Sequence, residues 1–387
     1  AEEEFTLAEL FKKAGYRTGV MGKWGVGVPP DDNDPQRAGF DESYGYINMW
    51  HAHNYYPEFL IRNGKKENLR NEVPDFFDQA GPFVPSAYHQ EGKGVATKKV
   101  DYVPGLIHAE ALNFIRTNKS NPFFLYYALN IPHANNEGGN DWSNSGERSP
   151  NKNANGMAVH DLGRFANEDW PIQEQGFARM IQYIDDWVGE IVALVEELGL
   201  SEDTVIMFSS DNGPHNEGNH KHEFFNSNGD FRGFKRDLFD GGIRVPLIAS
   251  WPGTIEAGGE SDLMSGFQDM MPTMAELIGI ESPDTDGISL MPTLVTNGDA
   301  QERHDFLYWE FPATDGKQAL LYLNQWKAIR VGLFDDINAP VELYDITVDT
   351  GEEENLAAVH PGLADQLLKI MMEQHTPFDE TWDLTQK

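Results

Sequence analysis

Between residues 172 and 213 the chain spells out one structural arrangement. Phe177, Ile181, Ile184, Val188, Ile191, Val195 and Leu198 recur at alternating steps of four and three, which lines one face of a helix over about 172–198. Gly199 closes that helix, Thr204–Ser209 is an apolar strand, and the strand hands over to Asp211-Asn212-Gly213. Helix, short turn, apolar strand and then polar residues at the strand's carboxyl end is an α/β arrangement. It gathers ligand groups at one edge of a sheet.

The rest of the chain extends the pattern. Phe5–Gly15 reads as a helix capped by Thr6 with Glu9 three residues on, and Gly15 ends it. Tyr16–Met21 is a short strand that leads into Gly22-Lys23-Trp24-Gly25-Val26-Gly27. Residues 28–100, rich in Pro, Asn, Gly and aromatics, read as long excursions above a sheet. A helix over 105–117 precedes Pro122–Leu129, an apolar run expected to be a buried strand. Val245–Ser250 is a second such strand, and a helix over 268–279 closes a main domain spanning 1–301. From 302 to 387 the pattern changes. Phe306–Phe311, Ala319–Leu323, Trp326–Val331 and Val341–Ile346 are strand-like, with Asn324-Gln325 as a hairpin turn and a final helix over about 362–374. The expectation is a small antiparallel sheet with one helix packed on it.

Composition narrows the partners. Asp and Glu number 63 against 29 Lys and Arg, a formal charge of −34, which repels nucleic acid. An anionic substrate needs local cations or a metal, or a saline medium that shortens the reach of the field; an acidic surface kept for solubility is the plain alternative. No apolar run approaches the ~18 residues that span a bilayer, so membrane insertion is not expected. The absence of cysteine excludes disulfides and thiolate sites within these residues.

Four segments carry chemistry: Thr6–Gly27 (TLAELFKKAGYRTGVMGKWGVG), Pro122–His133 (PFFLYYALNIPH), Phe208–Gly213 (FSSDNG) and Arg232–Pro246 (RGFKRDLFDGGIRVP). With WPG at 251–253 and ELYDITVDTGEEENLA at 342–357, this ordered set resembles the sulfatase family, arylsulfatase type, over essentially the whole chain. The resemblance implies an alkaline-phosphatase-like fold, an α/β/α sandwich on a large mixed sheet with the small C-terminal antiparallel sheet plus helix. It also implies hydrolysis of sulfate monoesters, with a sulfated carbohydrate of galactose or N-acetylgalactosamine type as the expected partner, and a periplasmic or secreted location.

Asp211 and Asn212 offer a carboxylate and an amide oxygen, ligands suited to a hard cation such as Ca²⁺. A surface turn is the other reading of Asp-Asn-Gly, and the resemblance favours metal ligands for one ion. Lys23 and Lys235 can stabilise negative charge on a breaking sulfate ester, or simply face solvent; the resemblance assigns both to the active site. His133, after Ile131-Pro132, can protonate a departing alcohol near neutral pH or be satisfied by loop carbonyls; the matching sulfatase histidine contacts the sulfate.

Two departures stand out. Many sulfatases read G-K-W-H-x-G, whereas Gly25 occupies the histidine position here. His53, from the loop His51-Ala52-His53-Asn54-Tyr55-Tyr56, is the expected substitute, while His51 and Tyr55 are candidate substrate contacts. That loop reads equally as a substrate lip or an aromatic surface patch, with Trp50, Tyr55 and Tyr56 suited to a sugar. His215, His220 and His222 read as a solvated loop in which His215 can touch substrate. The second departure is the motif C/S-x-P-x-R, whose first residue becomes the formylglycine nucleophile in the family; it does not occur between Ala1 and Lys387. A formylglycine upstream of residue 1 is therefore expected, with a formylglycine-generating or serine-type maturase as partner, and these residues alone are expected to be inactive. Two rivals remain: a phosphoryl or phosphonate hydrolase of the same fold, and a non-catalytic pseudosulfatase that binds sulfated sugar.

Overall fold

The computed structural model describes residues 4–25, 34–74, 92–138, 140–142, 148–150, 155–296, 298–377 and 384. Val26 and Gly27 of the first motif lie outside the described residues. The chain forms two compact units, 1–204 with 217–221, and 205–216 with 222–387.

In the first unit α1 (Leu7–Lys13) starts on a capping box. The Glu9 N–H donates to Thr6 Oγ1 at 3.1 Å, and the Thr6 N–H donates to Glu9 Oε2 at 2.9 Å. Strand β1 (Arg17–Gly25) runs beyond the expected Met21, so Lys23 and Gly25 belong to the strand. Residues 28–100 are not merely excursions. They supply β2 (Glu42–Asn48), β3 (Phe59–Arg62) and β4 (Lys65–Asn68) to the main sheet. Then come α2 (Val103–Asn118), β5 (Phe123–Ala128), the short pair β6 (Asn140–Trp142) and β7 (Arg148–Pro150), and α3 (Ile172–Glu197).

The five-stranded sheet has the order β4-β3-β2-β1-β5, with β2, β1 and β5 parallel and the outer hairpin antiparallel. Helices cover both faces. Val103, Ile107, Ala111 and Phe114 of α2, at helical spacing, pack on Met21, Tyr44 and Tyr46, while Ala8 of α1 packs with Val20 on the opposite face. Gly22 has φ 128°, and a Cβ there would lie 1.9 Å from the Ala128 carbonyl oxygen, so only glycine lets β1 approach β5 this closely.

The α3 stripe is displaced from its expected line. Phe177 and Val195 are buried as expected and Met180, Trp187 and Leu194 are buried beside them, whereas Ile181 is 45% exposed. The indole of Trp187 stacks on His108 of α2 at 4.9 Å.

The second unit begins with β8 (Ile206–Ser209), followed by the one-turn helix α4 (Asp240–Ile243) and β9 (Leu247–Ser250). Strands β8 and β9 pair antiparallel. The expected burial of β9 is not met: Leu247 and Ile248 are exposed. Helices α5 (Met270–Leu277) and α6 (Met291–Thr296) come next. Strands β10 (Phe306–Phe311), β11 (Lys317–Tyr322), β12 (Trp326–Val331) and β13 (Glu342–Asp345) form an antiparallel meander, and α7 (Pro361–Gln374) closes the chain. One face of the meander, with Leu320, Ala328 and Leu343, packs on Leu367 and Met371 of α7; the other, with Ala319 and Ile329, packs on Leu238 and Phe239.

Candidate active site

In the first unit the site is an edge of the sheet. Because β1, β2 and β5 are parallel, their carboxyl ends deliver Lys23, the turn His51–His53 and the segment Asn130–His133 to the same side. Asn130 ties the segments together: its Nδ2 donates to Ala52 O at 2.8 Å and to Tyr46 Oη at 3.3 Å. As a result the rings of His53 and His133 stack, with centroids 4.9 Å apart and planes 11° from parallel. His133 follows a cis Ile131–Pro132 bond.

Each histidine faces a carboxylate. His133 Nδ1 lies 2.8 Å from Ala134 O, to which it donates, and Nε2 lies 3.6 Å from Glu217 Oε2. His53 Nδ1 lies 3.5 Å from Glu137 Oε2, and Lys93 Nζ lies 3.4 Å from Glu137 Oε1. Both Lys93 and Glu137 are buried. Burial alone would raise the Glu137 carboxyl, but His53 and Lys93 outweigh it and hold the group below the usual carboxylate range. Two imidazoles with carboxylates at their rims are suited to giving and taking protons. Neither Glu137, Glu217, Lys93 nor Asn130 belongs to a recognisable spacing, so sequence reasoning passed over all four.

Gly25 ends β1 with φ 82°. A histidine there would have to adopt a left-handed backbone. The edge instead carries its second imidazole on His53.

His51 and Tyr55 are placed differently. His51 is 1% exposed; its Nε2 contacts Phe59 O at 3.0 Å, and burial pushes its pKa down to about 4. Tyr55 and Tyr56 are also buried, and burial lifts the Tyr55 phenol well above its usual range. The loop is thus part of the core and not an aromatic surface patch, because Tyr46 and Phe59 of the neighbouring strands enclose His51. The loop of His215, His220 and His222 is likewise buried and not solvated. His220 stacks on Phe177 at 3.8 Å and meets Glu174 at 2.5 Å, while His222 Nδ1 lies 2.8 Å from Asn216 Oδ1.

In the second unit β8 delivers Asp211 and Asn212. Among the described residues no donor reaches the Asp211 carboxylate. Asn212 gives its Nδ2 to Gly213 O at 2.8 Å, so its Oδ1, the atom a cation would take, has no donor there. Two oxygens at a strand end with no protein donor among the described residues fit a hard cation, Asp211, which is exposed, by its charge and Asn212 as a neutral oxygen. No cluster of three or more His, Asp or Glu that could hold a metal occurs among the described residues. The Lys235 N–H donates to Pro214 O at 2.7 Å, so the structure brings Asp211, Asn212 and Lys235 onto adjoining backbone.

Comparison with known proteins agrees with this geometry. The Sulfatase family model matches residues 1–280, and a model described as N-sulphoglucosamine sulphohydrolase, C-terminal, matches 229–376. The chain is 32% identical over 315 residues to N-acetylgalactosamine-6-sulfatase of Mus musculus, covering 79% of this chain and 51% of the relative. It is 26% identical over 399 residues to human arylsulfatase A, covering 95% of this chain and 70% of that protein. The chain thus spans about half the length of the mouse relative. A solved structure of Ps i-CgsB in complex with k-i-k-neocarrahexaose superposes with a TM-score of 0.72 at 24% identity, over 100% of this chain and 76% of that one. The phosphonate monoester hydrolase of Agrobacterium radiobacter shares the fold at a TM-score of 0.55 and 19% identity, over 95% and 80%. With the family's motifs in order, on its fold, and its model matching nearly three quarters of the residues, the chain belongs to the sulfatase family.

Proposed function

We propose that the protein containing this chain hydrolyses sulfate monoesters on a sulfated carbohydrate of galactose or N-acetylgalactosamine type. The observation that carries this reading is the ordered motif set on the sulfatase fold, with Asp211 and Asn212 on backbone that adjoins Lys235. The sugar class rests on the names of the relatives and on the carrageenan-type oligosaccharide in one structural neighbour. It no longer rests on Tyr55 and Tyr56, which are buried.

In this reading Asp211 and Asn212 hold one Ca²⁺. When bound, the ion supplies positive charge that polarises the sulfate oxygens. Lys23 and Lys235 stabilise the charge that grows as the S–O bond breaks. His133 keeps Nδ1–H on the Ala134 carbonyl and presents Nε2, 3.6 Å from Glu217, to the leaving alcohol. His53, held by Glu137, moves a proton on the other side of the stack. The reading further requires a formylglycine nucleophile, a maturase that installs it, and a periplasmic or secreted setting. Among the described residues no helix is long and apolar enough to cross a membrane.

The test uses the full-length, matured protein. Asp211→Ala should abolish calcium binding in calorimetry together with release of sulfate from 6-sulfated N-acetylgalactosamine or carrageenan oligosaccharides. Undiminished calcium binding by that variant, or faster turnover of phosphonate monoesters than of sulfate esters, would overturn the reading.

A further inference from the structure

The second unit holds a buried ion cluster that none of this chemistry uses. Lys327 of β12 is fully buried, with Nζ 2.6 Å from Asp240 Oδ1 and 3.5 Å from Glu352 Oε1. Glu352 Oε2 accepts the Asp240 N–H at 2.8 Å. Glu352 is itself fully buried with a left-handed backbone, φ 50°, and Arg232 Nη1 donates to its carbonyl at 2.8 Å. A non-glycine residue held in that region marks a backbone over-determined by its surroundings.

What the cluster fixes is the turn at the start of α4. The Gly241 N–H donates to Arg232 O at 2.7 Å, and Gly242 O accepts the Gly213 N–H at 2.9 Å. A Cβ on Gly213 would sit 1.9 Å from Gly241 O, so the two turns meet backbone to backbone. Gly213 follows Asn212 directly, and Pro214 O takes the Lys235 N–H. The buried charges of the meander therefore connect, through Asp240 and two glycines, to the turn that carries Asp211 and Asn212.

We propose that Lys327, Asp240 and Glu352 are positioning residues for the cation turn, holding Asp211 and Asn212 in register for a hard divalent cation. The proposal rests on reading those two residues as calcium ligands. Neither end of the linkage is near the other in sequence: 116 residues separate Asp211 from Lys327.

Calcium titration of the full-length protein by calorimetry tests this, with unfolding measured on the same samples. Lys327→Met should weaken calcium affinity about tenfold or more, the scale of losing a partner that orients a ligand. Asp240→Asn, nearly isosteric, should do the same and serves if the lysine variant fails to fold. Leu320→Ala is the control: it is buried in the same meander but on the α7 face, so it should lower Tm and leave affinity within about twofold. Wild-type affinity in both cluster variants, or an equal loss in Leu320→Ala, overturns the clamp alone. Wild-type affinity in Asp211→Ala overturns the calcium reading, and the clamp with it.

Discussion

Each unit buries a lysine beside a carboxylate, and the two carboxyl groups shift in opposite directions. At the histidine edge Glu137 has two partners, His53 and Lys93, and they outweigh burial to keep the carboxyl below its usual range. In the meander Glu352 shares a single lysine with Asp240. Burial raises its pKa, and the neighbouring Asp240 adds to the rise against the pull of Lys327. Burial is common to both, so the balance of cations and carboxylates decides the outcome. The first cluster keeps an ionised carboxylate against an imidazole, a reactive arrangement. In the second, the charges are absorbed in holding backbone.

The largest effect should come from breaking the meander cluster. Lys327→Met leaves Glu352 buried without its cation and Asp240 with only the exposed Arg244, 3.4 Å away, and should lower unfolding free energy by about 3–5 kcal/mol in denaturant titrations. A loss under about 1 kcal/mol would mean that water or a rearrangement compensates, and the contrast would fail.

His51 sharpens the other side, as a buried ring with a carbonyl partner and, among the described residues, no carboxylate. Its folded pKa of about 4 lies below the unfolded value near 6.5. The stability it contributes is therefore present above pH 6.5 and lost as pH falls through 4. At roughly 1.4 kcal/mol per unit, that amounts to about 3 kcal/mol across the window. His51→Gln should remove this part of the pH dependence of stability. An unchanged slope would show that His51 is not the group responsible.

For the stacked pair, His133→Ala should slow turnover of sugar sulfates by about a hundredfold, the low end for loss of an acid catalyst. Activated aryl sulfates, which need little proton transfer, should suffer less. Equal losses on both substrate types would argue that His133 only binds the sulfate.

Gly25→His gives the smallest effect. It places an imidazole at the family's usual position on a left-handed backbone and should cost about 1 kcal/mol of stability without raising kcat. A gain in rate would show that the His53 arrangement is a poorer substitute.

The regular frame was largely legible. The α1 cap, α2, β5, α3 and the meander fall within a few residues of their expected bounds, because capping and periodicity are local properties. The strands within 28–100 are hidden because Gly45 breaks the apolar pattern of β2 and β4 is charged. Asn63-Gly64, with φ 49° and 75°, is the two-residue hairpin that joins β3 to β4, and it was a readable signal. The expected site residues divide by burial. Lys23, His53 and His133 reach the sheet edge, and Asp211, Asn212 and Lys235 share one turn region, whereas His51 and Tyr55 are core. Nothing in the local pattern separates His51 from His53, since both lie in one short turn.

The sequence by itself determined which strand ends carry Lys23, His133, Asp211 and Asn212, since hydrophobic runs and their polar terminators are written consecutively. Only the tertiary structure decided which charges meet. The order β2-β1-β5 brings the ends of β2 and β5 to one edge, and Asn130 then draws residue 53 onto residue 133. The pairing of β12 with β13, and the packing of the meander on Leu238 and Phe239, carry Lys327 to Asp240 and Glu352. An ion pair is fixed by distance in space and by the water excluded around it, and neither quantity is a function of spacing along the chain.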